Sequence, residues 1–180
     1  PTWASSSGIQ SLKNNLGYFD TISPVWYEVN ENGTLNPKYP SNKDSLISYA
    51  RTNNLRIIPT VGMFNHSLFS KVLQSDQNLL RHVDSIVNAV EVNNFAGIDL
   101  DYESISISDE VQYFKFLQLL SEELHANDKI LSVTVLAKWG DGVRYSYRPE
   151  TRQMQDWSRI GQYADEVRIM AYDYTSSSDM

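Results

Sequence analysis

Short apolar runs alternate along this chain with longer amphipathic stretches, the pattern of parallel strands joined by crossover helices. Candidate strands cover residues 2–5, 21–29, 55–61, 95–102, 130–137 and 166–172. Between the third and fourth, Leu79, Leu80, Val83, Ile86, Val87 and Val90 recur at helical spacing, as do Phe114, Leu117, Leu120 and Leu124 before the fifth. Each set reads as an outer helix with one buried face. Ser41-Asn42 and Ser108-Asp109-Glu110 sit just before such stretches, where capping side chains and first-turn acids belong. From the second strand to the sixth, four strand–helix units take about 145 residues, so eight would need about 290, the size of a (β/α)₈ TIM barrel. The expectation is an α/β chain holding about strands 1–6 of such a barrel, with 1–180 as one partial domain and strands seven and eight beyond Met180. A complete six-stranded doubly wound sheet competes, but no Gly-rich phosphate turn follows the first strand.

Charge narrows the partners. With 22 acidic against 15 basic residues the net charge is -7, so the chain lacks the positive field that holds nucleic acid or an anionic membrane. No apolar run approaches the roughly 18 residues of a membrane span, and residues 1–20 lack the plan of a secretory leader. Zero cysteines exclude disulfides, thiol catalysis and cysteine-bound metals. Aromatics make up 12% of the residues, and flat amphipathic rings suit both core packing and stacking against sugars or bases.

The segment Gly97-Ile98-Asp99-Leu100-Asp101-Tyr102-Glu103 carries the chemistry. Side chains alternate across a strand, so Asp99, Asp101 and Glu103 share one face and Ile98, Leu100 and Tyr102 the other. On a barrel strand the acids point inward and climb toward the C-terminal rim, with Glu103 uppermost. Three neighbouring carboxylates cannot all stay ionised cheaply in a poorly hydrated interior, so at least one proton should be shared. That sharing is a means of keeping Glu103 protonated as a general acid while Asp101 changes partners. A solvated edge strand and a divalent-metal site are the alternatives. No histidine flanks the acids, and His66, His82 and His125 read as surface or rim residues, so neither metal nor cofactor is expected.

This segment resembles the fourth-strand signature of glycoside hydrolase family 18, D-G-x-D-x-D-x-E, with Ala96 in place of the first Asp. Met170-Ala171-Tyr172-Asp173-Tyr174 resembles the family's sixth-strand motif M-x-Y-D. Thr60-Val61-Gly62-Met63 departs from the third-strand S-x-G-G. The stretch from Val25 to Leu35 is similar to strand two and its turn in the bacterial branch of spore-cortex and cell-wall N-acetylglucosaminidases. The resemblance implies retaining, substrate-assisted hydrolysis of β-1,4-linked N-acetylglucosamine glycans by a secreted or cell-wall-associated enzyme; a non-catalytic glycan-binding domain on the same fold is the rival. It implies that Glu103 is the acid, that Asp101 orients the acetamido group, that Asp99 buffers Asp101, and that Tyr172 donates to the acetamido oxygen. Met170 and Asp173 would shape the pocket floor. Tyr27, Trp3 and Trp139 end or follow candidate strands and are expected on the rim, where they stack on sugar faces or simply pack. Asn32-Gly33-Thr34 and Asn65-His66-Ser67 fit the short N-glycosylation pattern.

Overall fold

The structure is a computed structural model and describes residues 5–140 and 148–172. It opens with helix α1 (Ser5–Asn14), followed by a 3₁₀ turn and the strands β1 (Thr21–Ile22), β2 (Val25–Val29) and β3 (Leu35–Pro37). Then come α2 (Lys43–Thr52), β4 (Arg56–Ile57), β5 (Thr60–Met63), α3 (His66–Leu73), α4 (Asp76–Val92) and β6 (Gly97–Tyr102). The chain continues through α5 (Glu110–His125), β7 (Ile130–Leu136), α6 (Pro149–Met154), α7 (Trp157–Ile160) and β8 (Glu166–Met170). The main sheet has the order β3-β2-β5-β6-β7-β8, and β1 pairs with β4 as a short extension. All pairings are parallel except the β2–β3 hairpin. This is the strand–helix alternation of the expected TIM-barrel plan.

Two expected strands are each interrupted by a proline. Pro24 separates β1 from β2 and Pro59 separates β4 from β5, because a residue without an N–H cannot donate to the ladder. Both carbonyls stay in use, accepting from the Thr60 and Asp99 amides at 2.9 Å each. The first expected strand is not met: Ser5 is already the first residue of α1, and residues 2–4 lie outside the described residues.

Packing follows the period-two reading of β6. Ile98, Leu100 and Tyr102 are buried against the helices, whose Val83, Ile86, Val90, Phe116, Leu117 and Leu120 are also buried. Burying each such side chain contributes about 1.5–3 kcal/mol. Of the α4 residues expected inside, Leu80 is out, 52% exposed, while His82 is fully buried. His82 was expected on the surface; it falls instead on the stripe 79-82-83-86-90. Its Nδ1 lies 2.7 Å from the Gly33 carbonyl, to which it donates, and its Nε2 accepts from the Tyr102 hydroxyl at 2.6 Å. Burial pushes its pKa down to about 4, so the ring is neutral. Gly33 has φ +87°, and a Cβ there would stand 2.3 Å from the Asn78 carbonyl oxygen, so the hairpin turn packs on α4 only with glycine.

The sheet is strongly curled. Four strand spacings in a flat sheet would separate β2 from β8 by roughly 19 Å. Yet Arg168 of β8 hydrogen-bonds Ser23, just before β2, and Glu166 lies 3.4 Å from Arg56 of β4. The concave face enclosed by that curl carries the acids.

Candidate active site

Neighbours in parallel strands point the same way, so the register identifies what stands beside each carboxylate. Asp99 is level with Thr60 and Ser132, and Asp101 with Gly62 and Thr134, which in turn is level with Arg168. Asp99 is 2% exposed. It accepts hydrogen bonds from Thr60 at 2.9 Å, Ser132 at 2.6 Å and Thr134 at 3.0 and 3.1 Å, and the Arg168 guanidinium lies 3.8 Å away. Its charge is therefore compensated from three other strands.

Asp101 is the opposite case. Its Oδ1 is buried and has no hydrogen-bond partner. Burial, reinforced by the Glu103 and Asp99 charges and opposed by Arg148, pushes its pKa up to about 7. Of the triplet, Asp101 is the carboxyl whose pKa its surroundings raise. A buried carboxyl oxygen without a partner, beside two other acids, is a group waiting for a donor.

Glu103 lies one residue past β6. Its amide donates to the Met63 carbonyl at 3.1 Å, and its own carbonyl accepts from Thr151 at 3.3 Å. One Arg148 nitrogen, Nη1, donates both to that carbonyl at 2.5 Å and to the carboxylate Oε2 at 2.9 Å. Above β6 the ladder parts, and Gln155 bridges the gap. It accepts from the Leu136 amide at 2.7 Å and donates to the Tyr102 carbonyl at 3.2 Å.

The rim residues fare differently. Trp139, beyond β7, is 52% exposed with the Arg152 guanidinium 5.6 Å from its ring centre. Tyr172 is exposed two residues past β8, in step with Arg168 and with the half-buried Met170. Tyr27 is not on the rim. It is 2% exposed with its hydroxyl 2.6 Å from that of Tyr39, because β2 carries an irregularity between Val25 and Tyr27 that aligns Tyr27 with the outward Val61. Trp3 and Asp173 lie outside the described residues. Phe64, unnoticed in the sequence, is half exposed, and its ring covers Gly62 so closely that a Cβ there would come within 2.8 Å.

Among the described residues no group of three or more His, Asp or Glu side chains is placed to hold a metal ion. An apolar pocket of about 550 Å³ opens elsewhere, between α1 and β1–β2, lined by Ile9, Leu12, Phe19, Ile22, Trp26 and Tyr39. It contains none of the acids. Arg168 was legible in principle, since it alternates in step with Met170 and Tyr172, whereas Thr60, Ser132 and Thr134 meet Asp99 only through the register between strands. Arg148 and Gln155 reach the site from a return of the chain that no local pattern announces.

Comparison with known proteins points one way. Residues 3–180 match the family model described as glycosyl hydrolases family 18. The uncharacterized glycosylase YvbX of Bacillus subtilis (strain 168) is 22% identical over 179 residues, covering 96% of this chain and 50% of YvbX. A chitinase from Chromobacterium violaceum superposes with a TM-score of 0.82 at 20% identity, covering 93% of this chain and 53% of its own. The Bacillus cereus spore cortex-lytic enzyme SleL gives 0.75 at 22% identity, covering 87% and 35%. The chain thus spans about half the length, or less, of the relatives it matches.

Proposed function

The chain belongs to glycosyl hydrolase family 18, and from that premise we propose that it performs retaining, substrate-assisted hydrolysis of β-1,4-linked N-acetylglucosamine glycans. The observation that carries the reading is Asp101, whose buried Oδ1 has no hydrogen-bond partner and whose pKa is raised to about 7, standing between a hydrogen-bonded Asp99 and Glu103. Hydrolysis by two protein carboxylates would need a nucleophile or base of the protein's own; here the sugar's acetamido oxygen is the nucleophile. Glu103 donates a proton to the glycosidic oxygen as that bond breaks, and the acetamido oxygen attacks the anomeric carbon to give an oxazolinium ion. Asp101 accepts from the acetamido N–H and stabilises the developing positive charge, with its proton passing toward Asp99. Water, deprotonated by Glu103, then opens the ring with retention. Tyr172 and Met170 border the acetamido pocket, and Trp139 lines the rim.

The chitinase and cortex-lytic neighbours favour chitin or peptidoglycan as the polymer, and action on such a polymer would put the protein outside the cell or in its wall. The test is Glu103→Gln, which keeps the shape and loses the transferable proton. Turnover of an N-acetylglucosamine oligomer should fall by about 10²–10⁴-fold with binding retained. A threefold drop would remove Glu103 from the mechanism. A de-N-acetylated oligomer should bind and not react, and cleavage of it at the acetylated rate would reject substrate assistance. A wild-type chain that binds the oligomer without cleaving it would leave the glycan-binding reading in its place.

A further inference from the structure

With Glu103 taken as the proton donor, the reading on which this rests, we propose that Arg148 is a positioning residue that holds the acid in its working orientation. A single guanidinium nitrogen contacts residue 103 at both ends, the main-chain carbonyl at 2.5 Å and carboxylate Oε2 at 2.9 Å. A side chain tied to its own backbone through one shared donor has its torsions fixed. With Oε2 turned to the guanidinium, Oε1 is the oxygen this pose leaves to carry the proton.

The backbone at Arg148 provides a second observation. Positive φ occurs at Gly33, at Asn54, Asn94 and Asp128, and at Arg148, where φ is 48°. Asn and Asp tolerate the left-handed region; Arg, among the described residues, is the exception. Arg148 is also the N-cap of α6, a position that Ser, Thr, Asn or Asp would satisfy, and its side chain makes no capping bond. Arginine is thus the wrong residue here for local stability and the right one for reaching Glu103. Strain of this kind persists where surrounding structure imposes it, and it collects at functional sites. Thr151, one turn further along α6, supports the same carbonyl at 3.3 Å and the Ile105 amide at 3.1 Å, so the helix start as a whole is fastened to the segment that carries the acid.

The charge of Arg148 favours a carboxylate beside it, which suits the step in which Glu103 activates water and opposes the step in which it donates. Glycan binding therefore has to loosen the carboxylate half of the contact while the carbonyl half remains. This makes a specific demand: one nitrogen keeps residue 103 in place while its second bond is exchanged.

The experiment compares Arg148→Met, Arg148→Lys and Arg148→Gly with wild type and Glu103→Gln, using a nitrophenyl glycoside of di-N-acetylchitobiose. Misplacing an acid by about 1 Å can cost on the order of 10²-fold. Arg148→Met should lower kcat by roughly 10–100-fold with KM within about twofold, and Arg148→Lys should recover a large part. Arg148→Gly should lose the same activity while its melting temperature stays level or rises, because glycine relieves the left-handed strain. A merely structural arginine would instead lose stability and activity together, and that result would overturn the proposal, as would wild-type kcat in Arg148→Met. With ¹³C-labelled glutamate, the Glu103 carboxyl line, assigned from Glu103→Gln, should move and broaden in Arg148→Met. An unmoved line rejects the proposal whether or not the chain turns over this glycoside. Retained activity in Glu103→Gln would reject the acid assignment, a separate failure.

Discussion

At the scale of single residues, the site stores an electrostatic cost that pH can read out. The Asp101 carboxyl is raised from an ordinary 3.8 to about 7. A raised folded-state pKa means its favourable contribution is complete below about pH 4 and is lost as pH climbs through 7. Each pKa unit is about 1.4 kcal/mol, so the loss is on the order of 4 kcal/mol. Asp101→Asn cannot ionise and should escape it. The melting-temperature gap between variant and wild type should widen from pH 4 to pH 8, reaching on the order of 10 °C in favour of the variant. Parallel curves would show that Asp101 is not buried against its neighbours' charges. His82 runs the other way: its folded pKa, lowered to about 4, gives stability present above pH 6.5 and lost as pH falls toward 4. The two slopes oppose one another in that window, so the difference between the two proteins, not either curve alone, isolates Asp101.

At the scale of elements, β6 is where local pattern and tertiary structure agree most closely. Its period of two placed the acids on one face and the apolar residues on the other, and both faces are covered, the apolar one by the helices and the acid one within the curl, where Asp99 is buried. Gly97 begins it for a steric reason: a Cβ there would lie 2.1 Å from the Ile130 carbonyl oxygen in the neighbouring β7, a backbone atom with no freedom to yield. Gly97→Ala should push the two strands apart at their first pair and cost about 1–3 kcal/mol or more in urea unfolding. A change below about 0.5 kcal/mol, the range of ordinary surface substitutions, would mean the pairing is looser than described. Helix stripes were legible where every member was apolar, as at Phe114, Leu117, Leu120 and Leu124. They were not where a polar residue joined the stripe, because nothing local says that His82 will meet a carbonyl and a tyrosine hydroxyl. Asp109 marked the start of α5 as expected, but its carboxylate turns away from that helix to accept from Ser70 at 2.6 Å and Gln74 at 2.8 Å. The breaks at Pro24 and Pro59 were legible in principle, since neither residue has an N–H to donate to a ladder. Contacts bridging some 45 residues, such as Arg148 to Glu103, have no counterpart in any window of sequence.

At the scale of the whole molecule, the acids depend on curvature. Asp99 draws its hydrogen bonds from β5 and β7, and Arg168 reaches it from β8, two strands away, while also bridging the curl to Ser23. Arg168→Met should leave the Asp99 charge supported by hydroxyls alone and lose the bonds to Glu166 and Ser23. Its urea-unfolding free energy should fall by about 1.5–3 kcal/mol, the range for hydrogen bonds to charged groups. An unchanged midpoint would show that the arc is held by packing. The span from Arg168 to Ser23 has the geometry of a chord. A chord of fixed length across an arc of fixed strand number sets the radius, and the radius sets how far apart opposite walls stand at the open end. The width of the open end is thus gauged from below, by the reach of Arg168 to Ser23 and of Arg56 to Glu166.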